Sequence, residues 1–136
     1  MKTSLSVWLL RGLFVSVIAS MLGVTTWASF DTPLFDIPAE VISHPWFLAT
    51  LLDAYWGFIT FYVWAAWKER SGVARGLWLV NVLLLGNFAM AAYFLRELFA
   101  IRTTPEIGLV FTRRNPGHLT LPSMLLAAAL VVLLLA

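Results

Sequence analysis

One carboxylate stands inside an otherwise apolar run. Asp53 lies seven residues into the stretch from Trp46 to Trp67. An ionised carboxylate deep in a bilayer costs about 2.5–3.5 kcal/mol on insertion scales, so it must face protein or water. At helical spacing Thr50, Trp56, Gly57 and Thr60 lie beside it on one stripe. Such a stripe suits a proton, a cation or a polar ligand. It suits equally well an interhelical hydrogen bond, which contributes about 0.6–2 kcal/mol in membranes. Asn87, near the middle of a later apolar run, is the candidate partner. Asp53, Trp56, Thr60 and Asn87 are therefore the candidate binding group. Asn81 lies six positions before Asn87, about 120° away around a helix, and reads as a packing residue.

Other residue types carry less chemistry. His44 and His118 are the only histidines. Each precedes an apolar run, where a histidine normally caps a helix, and together they are weak candidates for a metal or an axial ligand. Nothing has the ligand spacing of a metal site, so no metal and no cofactor is expected. Lys68-Glu69 and Arg96-Glu97 are acid–base pairs, but the span count puts them at opposite surfaces. No nucleophile elbow or phosphate loop is present, and no catalytic residue is assigned. Gly12, Ser16, Ser20 and Gly23 form a small-residue face of the kind that packs against another membrane helix. Arg11, one turn inside the first run, is expected to snorkel to the surface.

These residues must be held by membrane helices. The 136 residues are 61% hydrophobic and 12% charged, against about 25% charged in soluble domains. A soluble domain this small buries only about 60–70% of the surface its chain exposes, too little to hide such a sequence. The composition excludes a soluble enzyme, a disordered chain and a nucleic-acid binder. There is no cysteine, hence no disulfide or thiolate site.

Four apolar stretches predict an all-α, single-domain bundle of four transmembrane helices, at about 7–28, 46–67, 76–98 and 119–136. The fourth, at 18 residues, is at the short limit for a span. A rival reading makes the first stretch a signal peptide cut after Ala28. Its length and the Arg11 interruption argue against that. The loop over 29–45 has no Lys or Arg, whereas the second loop has Lys68, Arg70 and Arg75. This predicts a multi-pass protein of the plasma (bacterial inner) membrane with a cytoplasmic N-terminus. The four-span count leaves five cations inside and four outside, so the positive-inside rule is only weakly obeyed.

The segments Leu52-Asp53-Ala54-Tyr55-Trp56-Gly57-Phe58, Phe61-Tyr62-Val63-Trp64 and Leu84-Leu85-Gly86-Asn87-Phe88-Ala89-Met90 resemble a family of small integral membrane proteins of bacteria and plants. That family is catalogued only as a domain of unknown function. The resemblance covers about residues 10–98, and the tail from about Ala100 departs from it. It implies no activity. The residues themselves favour a non-enzymatic accessory or structural subunit of a membrane complex. Its partners would be membrane lipids and either copies of itself or other membrane subunits. The alternatives are a small oligomeric transporter or ligand-binding protein using Asp53 and, behind it, a lipid- or isoprenoid-processing enzyme.

Overall fold

The computed structural model describes residues 2–135. Among them the fold is all-α, with one isolated bridge between Glu69 and Asn115 and no named strand. Helix α1 spans Leu5–Asp31, and a 3-10 turn over Leu34–Asp36 and the short α2 (Ala39–Ile42) lead into α3, Pro45–Lys68. Helices α4 (Gly72–Leu85) and α5 (Asn87–Phe99) follow. A second 3-10 turn (Thr104–Glu106), α6 (Ile107–Thr112) and α7 (Thr120–Leu135) complete the chain. Helices α1 and α3, with 27 and 24 residues, are long and apolar enough to cross a membrane. At 1.5 Å per residue they reach about 40 and 36 Å.

The expected third span, 76–98, is not one helix. It breaks at Gly86, whose φ of 49° and ψ of −120° end α4 and begin α5. The two arms fold back as a V. Trp78 and Tyr93 pack edge-to-face with ring centroids 4.8 Å apart, although fifteen residues of straight helix would separate them by about 22 Å. Only glycine adopts this backbone freely. The turn is also pressed against α3, where a Cβ at position 86 would lie 2.6 Å from the Phe58 ring. Each arm, at 14 and 13 residues, reaches only about 20 Å, short of a hydrocarbon core of about 30 Å. Helix α7, at 16 residues, is also shorter than the usual span.

The V reverses the expected placement of everything after it. Tyr62 on α3 donates to the Arg75 carbonyl at 3.0 Å, so α4 runs antiparallel to α3. Helix α5 returns to the end where α3 finished. There Ser4 N–H donates to the Arg102 carbonyl at 2.8 Å, and Phe14 stacks on Phe94. Helix α1 therefore runs antiparallel to α5. Asn81 donates to the Leu77 and Pro122 carbonyls at 2.9 and 2.8 Å and ties α7 alongside α4. All nine Lys and Arg residues consequently belong to one end of the molecule. Asp31, Asp36 and Glu40 belong to the other.

Packing is equally one-sided. A core of Phe61, Ala65, Trp78, Val82, Ala89 and Tyr93 fills the basic half. Val7, Leu98, Ile101 and Val110 form a second cluster there. Beyond the V tip the lower halves of α1, α3 and α7 stand apart, and residues 22–57 contribute nothing buried.

Candidate functional site

Two places collect polar groups with unusual surroundings. The larger is an ion network at the basic end. Lys68 donates from Nζ to Glu97 Oε2 at 2.8 Å and also to the Val110 carbonyl. Arg96 Nη2 reaches Glu69 Oε1 at 2.6 Å and Glu97 Oε1 at 2.9 Å. Arg113 lies 3.3 Å from Glu97. Asn115 Nδ2 donates to Glu97 at 2.7 Å and to Glu69 at 3.1 Å, and the Tyr93 hydroxyl donates to Glu69 at 2.9 Å. The side chains of Lys68, Glu69 and Glu97 are essentially inaccessible. The V brings the two acid–base pairs together, where the span count had put them at opposite surfaces. Backbone bonds complete the clasp, with Arg70 N–H to the Asn115 carbonyl at 3.0 Å and Asn115 N–H to the Lys68 carbonyl at 2.8 Å.

This network is built to hold elements together. Three cations, Lys68, Arg96 and Arg113, meet two carboxylates, Glu69 and Glu97, and join α3, α5 and the segment after α6. Arg11 has a similar role. It is buried, with Nη2 donating to the Leu98 and Ile101 carbonyls at 3.0 and 2.9 Å. The Leu98 carbonyl lies in the last turn of α5 and the Ile101 carbonyl just beyond it, where the negative pole of the helix attracts a cation. The side chain is thus a helix cap, and the snorkelling expectation is corrected. The acid–base residues were visible in the sequence as two separate pairs. Their geometry required knowing that the chain turns back at Gly86.

The second place is α3 around Asp53. Asp53, Trp56 and Thr60 are all exposed, and Thr60 returns its hydroxyl hydrogen to the Trp56 carbonyl at 2.8 Å. Every ion pair among the described residues lies in the basic-end network, so none reaches Asp53. Asn87, at the V tip, is exposed and forms no hydrogen bond with Asp53. The four residues expected to line one site therefore form no closed pocket within the chain. They present an outward stripe on α3 and a separate amide at the tip.

The small-residue face is also turned outward. Nothing approaches within 4 Å of a Cβ built on Gly12 or Gly23, and Ser16 and Ser20 satisfy themselves on the α1 backbone. Helix α1 packs on α5 through Val7, Leu10 and Phe14 instead. His44 caps α3, its Nδ1 accepting from Trp46 N–H at 3.2 Å. His118 sits at the basic end, so the two histidines lie at opposite ends of the molecule and do not share a site. Among the described residues, no three His, Cys, Asp or Glu side chains are grouped to hold a metal ion.

A family model described as protein of unknown function (DUF1475) matches residues 1–120. The match includes the segment after Ala100, which the resemblance drawn from sequence had left out. No curated protein and no solved structure matches the chain. The chain belongs to the DUF1475 family.

Proposed function

We propose that this chain is a non-enzymatic integral membrane protein that serves as an accessory or structural subunit of a membrane complex. Its basic end faces the cytoplasm and its acidic end the opposite side of the plasma membrane. The observation that carries the reading is Asp53. An exposed carboxylate on an apolar 24-residue helix has no ion-pair partner among the described residues, and hydrocarbon cannot solvate it. A neighbouring membrane helix supplies the missing donor, from another copy or a different subunit. The unused small-residue face of α1 supports the same reading, because such faces allow close helix approach.

Native mass spectrometry of protein extracted gently from its host membrane tests this. The expected result is a fixed stoichiometry with itself or one other membrane protein, lost in Asp53→Leu. A wild-type monomer, or an assembly that Asp53→Leu leaves intact, would overturn it.

A further inference from the structure

The V ends half-way down the molecule, and the space beneath its tip is not refilled by the chain. Helices α1 and α7 continue past the tip and leave a cleft of ≈ 390 Å³ lined by Met21, Thr25, Leu85, Phe88, Ala129 and Val132. A neighbouring cleft of ≈ 500 Å³ shares most of that lining. Volumes of about 300–1,000 Å³ are those of ordinary small-molecule sites.

The lining specifies the chemistry of the occupant. Its hydroxyls are already committed, with Thr25 donating to the Met21 carbonyl at 2.7 Å and Ser29 to the Thr25 carbonyl at 2.8 Å. What remains for a ligand is methyl, methylene and ring surface. The cleft carries Thr25, Ala28, Ser29 and Ala129 but no glycine, and the glycine-bearing face of Gly12, Ser16, Ser20 and Gly23, which lets a partner helix approach most closely, is on the other side of α1. The depth specifies the source. The cleft lies in the half of the molecule that the proposed orientation puts in the outer leaflet, where acyl chains are the abundant apolar species. Thr32, Leu34 and Ile37 line its outer side, neighbours in sequence of Asp31 and Asp36, and no Lys or Arg lies between Arg11 and Lys68, which disfavours an anionic headgroup.

We infer that the cleft beneath the Gly86 turn, between α1 and α7, holds the hydrocarbon chain of a neutral or zwitterionic membrane lipid. This rests on the membrane reading and goes beyond the subunit reading. The bound chain takes the place of the missing lower half of the hairpin and buttresses the V from below.

The test uses the full chain in vesicles containing phosphatidylethanolamine with a diazirine on one acyl chain. Cross-linked residues are mapped by mass spectrometry. The expected result is labelling of Leu85 and Phe88 several-fold above that of Leu52 and Val63, which are exposed on α3. Thr25→Phe and Val132→Trp, each filling the cleft from a different helix, are expected to lower the Leu85 and Phe88 signal several-fold and leave Leu52 unchanged. Equal labelling everywhere, unaffected by either variant, would mean bulk lipid only and would overturn the inference. So would an unlabelled cleft beside labelled Leu52 and Val63, which would point to a protein occupant. No labelling at any of these positions would remove the membrane reading itself, and the inference with it.

Discussion

The Glu97 carboxylate answers three cations at once, Lys68, Arg96 and Arg113. Lys68 is wholly enclosed, so its charge depends on that carboxylate. Removing one member of a buried pair strands the other and costs about 3–5 kcal/mol. Glu97→Gln is therefore expected to destabilise the protein by about that amount, read from denaturant unfolding in micelles. Lys68→Met combined with Glu97→Gln is expected to recover part of the loss, because the stranded ammonium is gone. Arg113 is about one-third exposed, and its replacement is expected to cost no more than about 1 kcal/mol. Glu106 responds to pH instead. Its carboxylate accepts from Arg102 N–H at 2.9 Å, Thr103 N–H at 2.8 Å and the Thr103 hydroxyl at 2.9 Å. These bonds, the Arg102 amide foremost, hold its pKa below the ordinary carboxylate value. A lowered folded pKa means the cap is at full strength above the unfolded value, near about 4.3, and is lost as pH falls through the folded one. The Arg102 and Thr103 amide resonances are expected to shift together as pH falls below the ordinary carboxylate range, and not in Glu106→Gln.

At the level of elements, the V is the feature that hydropathy did not reveal. Residues 76–95 form an apolar run interrupted only by Asn81, Gly86 and Asn87, and a hydropathy window sums composition without regard to direction. A straight span and a bent hairpin of the same residues score alike. Gly86 was visible as a residue, but a lone glycine inside an apolar helix is common in membrane helices. What makes it a turn is the Phe58 ring and the returning ion pairs, all from distant sequence. The start of α3 was legible because it depends on local chemistry, His44 with Pro45. Helix α4 opens at Gly72, before the expected 76, with Ser71 accepting from Ala74 N–H at 3.4 Å. Of the candidate site, Asp53 was legible as an anomaly of residue type. Its outward direction was not, since helical periodicity gives a face but not what lies opposite. Gly86→Ala separates the two demands on the turn. The backbone at φ 49° is expected to cost a non-glycine residue about 1–3 kcal/mol, and the Phe58 contact adds to it. Phe58→Ala in the same chain is expected to relieve only the contact. Full recovery of thermal stability in the double variant would show that the backbone conformation carries no cost.

For the whole molecule, the V changes how the charges divide between the two ends. A four-span count divides the cations five and four between the two sides, close to no preference. With residues 72–99 returning to their own side, Arg96, Arg102, Arg113 and Arg114 join Lys2, Arg11, Lys68, Arg70 and Arg75 at one end. Lys and Arg near span ends set orientation, and a nine-to-none division is a strong setting. The acidic end, by contrast, carries carboxylates alone. The two arrangements differ on one observable, the side on which Arg114 lies relative to Arg70. The chain has no cysteine, so a single introduced thiol reports its own position. Arg70→Cys and Arg114→Cys are expected to resist a membrane-impermeant maleimide in intact cells and to react after lysis. Asp36→Cys is expected to react in intact cells. Protection of Arg70→Cys with labelling of Arg114→Cys would restore a third full span and unmake the V in the membrane. Protection of both, with Asp36→Cys labelled, places the ion network on the cytoplasmic side and leaves the open half, with Asp53 and the lipid cleft, facing the outer leaflet.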